Sequence, residues 1–267
     1  MEKRMETMKK FPVVFLLIGF LLGGCDNHLF VSSTATPLPT ETPTPEPILP
    51  FDIEEVHFTT EDDLTLEGYL YLGEERNTGI VFAHMAGPND QENWMPFAET
   101  LAGKGYSSLT FNFRCYGASD CASSTEPSYV ILQRDINRAV DFMYEQGFEN
   151  VICIGASMGG RACSEAAFDK ELAGVVFVSG VGSQDPAKQD PNDMLNPDIP
   201  KLFIVSESDP TMNGEMLKTF MAFYEAAPEP KELQTFTGTV HGTELFDTRK
   251  RDEFSEMLIS FVEDVIP

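Results

Sequence analysis

The sequence predicts an α/β domain, a mostly parallel eight-stranded sheet with helices on both faces, and three observations carry that expectation. From residue 54 onward, short β-rich runs alternate with helix-length amphipathic runs, the pattern of strands joined by crossover helices. The run Val151-Ile152-Cys153-Ile154 is apolar throughout and rich in β-branched residues, which suits a strand covered on both faces that has no need to alternate. Small residues then stand at Gly155, Ala156, Gly159 and Gly160 around Ser157. That strand therefore delivers a serine to a sharp turn into a helix, where bulk would block the approach of the two elements.

The elements follow in order. Glu54 to Leu72 reads as an antiparallel hairpin, with strands at 54–59 and 65–72 turning at Glu61-Asp62-Asp63. Ile80-Val81-Phe82-Ala83 marks a third strand at 79–84, and a helix at 92–104 stops at Gly103-Lys104-Gly105. Strands at 107–113, 150–155, 174–179, 201–206 and 232–237 are separated by helices at 127–146, 158–168 and 213–226, and a last helix spans 251–265. Only residues 180–200, rich in Asp, Pro and Asn, are available for a lid between strands 174–179 and 201–206. That is too little for a cap domain.

With 42% hydrophobic residues in 267, the chain can bury one sizeable core. Its net charge of −25, from 43 acidic against 18 basic residues, argues against a nucleic-acid partner, because phosphate binding runs on clustered Lys and Arg. Lys3, Arg4, Lys9 and Lys10 precede the apolar run Phe11 to Leu22, which is shorter than the ~20 residues a membrane-spanning helix needs and has the form of an export signal. The run ends in Leu22-Gly23-Gly24-Cys25, which resembles the bacterial lipobox, with the less common Gly23 at its second position. The resemblance implies a signal peptide over 1–24, lipidation of Cys25 and attachment to the membrane on the extracytoplasmic face of a bacterial envelope. The alternative is an ordinary signal peptide followed by a coincidental cysteine. Residues 31–50 are a Pro/Thr tract that cannot form a core. Residues 25–50 thus read as lipidated cysteine and tether, reaching up to ~60 Å if the tract is extended, and 51–267 as the folded domain.

The order and punctuation of the elements over about residues 54 to 266 resemble the α/β-hydrolase superfamily. Gly155-Ala156-Ser157-Met158-Gly159 matches its Gly-x-Ser-x-Gly nucleophile elbow. Ala83-His84-Met85-Ala86-Gly87 looks like its His-Gly-x oxyanion loop, followed by Trp94 on the next helix, and Phe111 to Ser119 is similar to its Asp-x-Arg-Gly-x-Gly-x-Ser loop. Met85 and Cys115 each replace a usual glycine, which either distorts the oxyanion loop or narrows the pocket.

The resemblance implies a Ser-His-Asp triad in the chain order serine, acid, histidine. His28 lies in the tether, His57 on the first strand, and His84 matches a structural histidine, so among the four histidines only His241 follows Ser157. It stands in Gly238-Thr239-Val240-His241-Gly242, just beyond the last strand. Asp209 is the expected acid, with Ser206 in place of the family's glycine three residues before it; Glu207, or a helix N-cap role for Asp209, are the alternatives. The expected oxyanion-hole donors are the N–H groups of Met158 and Ala86, with Met85 in reserve for the second.

Cys115 and Cys121 are candidates for a local disulfide, whereas Cys153 and Cys163 read as small buried hydrophobes. No metal-ligand spacing or cofactor motif is present, so neither metal nor cofactor is expected. The combined reading is a lipid-anchored extracytoplasmic serine hydrolase that cleaves carboxylic esters of a small-molecule acyl substrate through an acyl-enzyme. A serine peptidase or amidase on the same scaffold is the first alternative. A non-catalytic binding lipoprotein is the second.

Overall fold

The computed structural model describes residues 50–122, 125–126 and 128–266. The expected signal peptide, Cys25 and nearly all of the Pro/Thr tract lie outside the described residues. Strands β1 (Asp52–Thr59), β2 (Thr65–Leu72), β3 (Thr78–Ala83), β4 (Ser107–Phe111), β5 (Asn150–Ala156), β6 (Gly174–Val178), β7 (Lys201–Ser206) and β8 (Lys231–Phe236) form one sheet in the order β1-β2-β4-β3-β5-β6-β7-β8. The pairs β1–β2 and β2–β4 are antiparallel, and every other pair is parallel. The helices are α1 (Met95–Gly103), α2 (Ser128–Glu145), α3 (Met158–Asp169), α4 (Glu215–Ala226) and α5 (Arg251–Val265).

Both faces of the inner parallel strands β3, β5, β6 and β7 are covered, and this is why their sequences do not alternate. Val81, Cys153, Val175 and Phe203 face one core with the apolar stripe Leu132, Ile136, Ala139 and Met143 of α2, with α3, and with Phe220 and Phe223 of α4. Ile80, Phe82, Ile154 and Ile204 face the other, with Phe97 and Leu101 of α1 and with Phe254, Leu258 and Val262 of α5. Successive residues of each helix stripe are three or four positions apart, one side of a 3.6-residue helix.

Two elements differ from the sequence expectation. The expected helix at 92–104 is divided: a 3-10 turn at Gln91–Asn93, whose Glu92 N–H donates to the Asp90 carboxylate at 2.9 Å, gives way to α1, which takes Pro96 in its first turn. The strand expected at 107–113 ends at Phe111: one more N–H still reaches β2, and the next turns away to a side chain. Asn112 donates to the Glu67 carbonyl at 3.0 Å and Phe113 to the His84 ring at 3.1 Å.

An ion-pair network fixes the loop that follows. Arg114 has a side chain 3% exposed and contacts Asp62 in the β1–β2 turn at 2.7 Å and the fully buried Asp135 of α2 at 2.7 Å. Burial opposes the guanidinium charge, yet the bonds from the two carboxylates outweigh it and push the Arg114 pKa up, while Arg114 holds Asp62 well below the usual carboxylate range. The network therefore joins hairpin, loop and helix at a point where losing one partner would strand a buried charge.

Candidate active site

Ser157 sits between β5 and α3 with φ 52° and ψ −111°. A non-glycine residue in that region stores strain of about 1–3 kcal/mol, which the surroundings must hold. They do so by close approach: a Cβ on Gly159 would lie 2.0 Å from the Ala83 carbonyl oxygen, and one on Gly155 2.2 Å from that of Gly159. The Ser157 N–H donates to Val178 at 2.7 Å, tying the turn to β6. Gly180 completes the cradle, since a Cβ there would come within 2.1 Å of the Ser157 carbonyl oxygen.

Asp209 and His241, 32 positions apart, are brought together: Asp209 Oδ2 lies 2.6 Å from His241 Nδ1. The Asp209 carboxylate is fully buried, and its Oδ1 accepts from the N–H groups of Thr211 at 2.9 Å and Met212 at 3.3 Å. Both oxygens are therefore oriented; the N-cap alternative is not met, because Oδ1 holds a loop turn and α4 begins only at Glu215 with Gly214 at its N-cap. Glu207 points to solvent. His241 is 13% exposed, and its N–H donates to Glu244 at 3.2 Å. Gly242 packs between the side chains of Met85 and Ala156 and donates to Ser179 Oγ at 3.3 Å. The residue after His241 thus rests on the residue before Ser157.

His84 is placed apart from this pair. Its ring is fully buried, with Nδ1 2.7 Å from the Met85 carbonyl and Nε2 accepting from the Phe113 N–H, so the neutral Nδ1–H form satisfies both nitrogens. Burial pushes its pKa down to about 4 from 6.5. Between these values the unfolded chain binds a proton that the folded chain refuses, so stability is full above pH 6.5 and falls as pH drops toward 4. Denaturant midpoints measured across that window should fall more steeply for the wild type than for His84→Asn, and equal slopes would refute this placement.

The two replaced glycines are accommodated differently. Met85 is buried in the core and fills the space beneath Gly242, so it packs against the His241 loop and does not line the cavity at Ser157. Cys115 adopts φ 67°, the glycine-like conformation its position requires, and is bonded to Cys121. The reading of Cys153 and Cys163 as simple buried hydrophobes is corrected. Both are fully buried, but they are joined in a disulfide that staples β5 to α3 on either side of Ser157.

A cavity of about 360 Å³ opens at Ser157. Its apolar wall includes Phe113, Tyr116, Ile131 and Leu132, and Ala86 and Met158 stand at its edge with Ser157. Met158 is the first residue of α3, so its N–H has no partner within the helix and lies where the positive end of the dipole is concentrated. Trp94 Nε1 donates to the Ala83 carbonyl at 3.1 Å and anchors the end of β3, from which the Ala86 loop departs. Among the described residues no group of three or more His, Cys, Asp or Glu side chains could hold a metal ion.

Sequence reasoning missed Ser179, a buried residue at φ 51° that links the His241 loop to the end of β6 and borders the cavity. It missed Arg161 as well, which stands one helical turn after Ser157 and whose side chain also lines the cavity. Their signals are tertiary: Ser179 looks like any residue after a buried strand, and Arg161 like any polar residue of a helix.

Residues 76–256 match the family model for the alpha/beta hydrolase domain. Among curated proteins, the thiohydrolase aneE of Aspergillus aculeatus is 35% identical over 130 residues, which are 46% of this chain and 40% of that protein. The match thus spans less than half of that relative's length. Among solved structures, the Pyrococcus furiosus esterase Pf2001 aligns with a TM-score of 0.63 at 19% identity, over 81% of this chain and 93% of that one. The alpha/beta hydrolase GrgF from Penicillium sp. sh18 aligns with a TM-score of 0.66 at 16% identity, over 80% and 99%. The structural matches share the fold, and the sequence match covers the stretch from the start of the third strand into the last helix. This chain belongs to the α/β-hydrolase family.

Proposed function

We propose that the protein is a serine hydrolase that cleaves carboxylic esters, held by an N-terminal lipid on the extracytoplasmic face of a bacterial envelope. The observation that carries the catalytic part is the 2.6 Å contact of Asp209 with His241 in a loop packed against the strained turn of Ser157. In this reading Asp209 accepts the Nδ1–H of His241 and leaves Nε2 as base. His241 takes the Ser157 Oγ proton as Oγ attacks the substrate carbonyl carbon. The carbonyl π pair moves to oxygen, where the N–H groups of Met158 and Ala86 stabilise it. Collapse expels the alcohol, protonated by His241, and leaves the acyl-Ser157 ester. Water attacks that ester by the same route, releasing the acid and restoring Ser157.

Three observations bear on the preference and the location. The cavity is open and mainly apolar, with no cap domain among the described residues, which suits small acyl groups. A relative named a thiohydrolase makes thioesters further candidates for the same acyl-transfer chemistry. The disulfides Cys115–Cys121 and Cys153–Cys163 suit an oxidising compartment. A panel of p-nitrophenyl esters beside aminoacyl and peptidyl amides tests the bond: ester turnover should dominate, and dominant amide turnover would favour the peptidase alternative.

The anchor is tested separately. Expressed in a bacterial host, the wild type should incorporate labelled palmitate and fractionate with membranes, because several acyl chains together give stable attachment. Cys25→Ala should lose the label. Labelling that persists in Cys25→Ala, or a wild type found wholly in the soluble fraction, would reject the lipobox.

A further inference from the structure

Arg161 follows Ser157 by one turn of α3, about 6 Å along the axis, with its N–H donating to the Ser157 carbonyl at 3.2 Å. Its side chain lines both the cavity at Ser157 and an adjoining cavity of about 190 Å³ bounded by Gly180, Met212, Met216 and Phe220. The two spaces share Arg161, Gly180 and Met216, so one guanidinium stands at their junction.

Other sequestered cations of this molecule are committed. Arg114 is held by Asp62 and Asp135, Lys188 by Asp169 at 2.7 Å, and Lys201 by the Ile199 carbonyl at 2.7 Å. Arg161 makes no ion pair among the described residues. With the Gln184 amide oriented to satisfy both its neighbours, Gln184 oxygen accepts from the two terminal nitrogens of Arg161 at 2.7 and 3.3 Å, and Gln184 nitrogen donates to Ser128 Oγ at 2.6 Å. One amide oxygen orients the guanidinium without neutralising it, and donors of its five N–H groups remain.

The nearby carboxylates are engaged elsewhere. Glu165, a further turn along α3, accepts from the Ser183 hydroxyl and lies 3.6 Å from Lys188. Glu215, on the rim of the smaller cavity, is 88% exposed and pairs with Lys218 at 2.7 Å. Burial accordingly lowers the Arg161 pKa below the usual guanidinium range, with Glu165 acting only from a distance to raise it. A half-buried guanidinium without a counter-ion, set in a mainly apolar wall, is costly unless something anionic joins it. The planar fork of arginine matches a carboxylate in two parallel hydrogen bonds.

We propose that Arg161 is the carboxylate-binding residue of this site, selecting esters of dicarboxylic acids whose free carboxylate meets the guanidinium while the scissile carbonyl lies at Ser157. The proposal rests on the reading of Ser157 as nucleophile and adds a substrate class to it. Charge then distinguishes substrates of similar length, since an uncharged acyl chain leaves Arg161 unpaired and a carboxylate satisfies it.

The test compares kcat/KM for monoethyl adipate and ethyl heptanoate, followed by titration of released acid at constant pH with the full-length protein. The wild type should favour the charged ester, and Arg161→Gln should lower the charged-to-neutral ratio by roughly tenfold to a hundredfold, the worth of a charge-assisted hydrogen bond. Arg161→Lys should restore part of the ratio, because a point charge replaces the fork. A wild type with no preference for monoethyl adipate, or a ratio that Arg161→Gln does not move, overturns the proposal. Fluorophosphonate labelling separates the two levels of inference: a labelled Ser157 with neither preference nor ratio change leaves the hydrolase reading standing without Arg161, whereas an unlabelled Ser157 overturns both.

Discussion

Ser157→Ala should leave a folded protein whose ester hydrolysis falls by about 10⁴-fold or more, since nucleophile and base act as a unit and only binding and oxyanion stabilisation survive. The substitution removes one oxygen from a residue whose conformation is imposed by backbone contacts at Gly155, Gly159 and Gly180. Alanine can take the same turn at similar strain, so thermal stability should change little. The loss should appear in kcat for every ester, because acyl-enzyme formation is required whatever the acyl group. Purified Ser157→Ala protein with near wild-type turnover would remove the triad from the account.

Asp209→Asn should be nearly as damaging, by about 10³- to 10⁴-fold in kcat. Asp209 Oδ1 already accepts from two backbone N–H groups, which fixes the plane of the side chain and leaves Oδ2 to His241. An asparagine held in that plane keeps its oxygen on the two N–H groups and turns its NH₂ toward His241. The ring must then accept at Nδ1 and protonate Nε2, the wrong tautomer for a base. Glu207→Gln should be close to silent, because Glu207 faces solvent and Asp209 is sealed from it. Steady-state kinetics on the two variants decides the matter; a crippled Glu207→Gln beside an active Asp209→Asn would reverse the assignment of the acid.

How much was legible depended on whether a requirement was local. The turn at Ser157 demands small neighbours within a few residues, so Gly155, Gly159 and Gly160 announce it. Asp209 and His241 are expected from the resemblance, which puts acid and base in the loops after the strands at 201–206 and 232–237, and the fold brings these two side chains within 2.6 Å. The Cys153–Cys163 bond could not be read, because a cysteine among Val151, Ile152 and Ile154 looks like any small core residue until α3 is laid on β5. The early end of β4 was hidden for a similar reason: Phe113 gives its N–H to the ring of His84, 29 positions earlier. Ser179 and Arg161 acquire meaning only when the loop after β6 folds against the elbow.

Mass spectrometry after treatment with a fluorophosphonate probes the proposed covalent intermediate at Ser157. A single adduct should form on the peptide containing Ser157, far more slowly in His241→Ala, where the proposed base is missing. An adduct on Ser119, Ser179 or another serine, or an unmodified protein that still hydrolyses esters, would contradict the proposal.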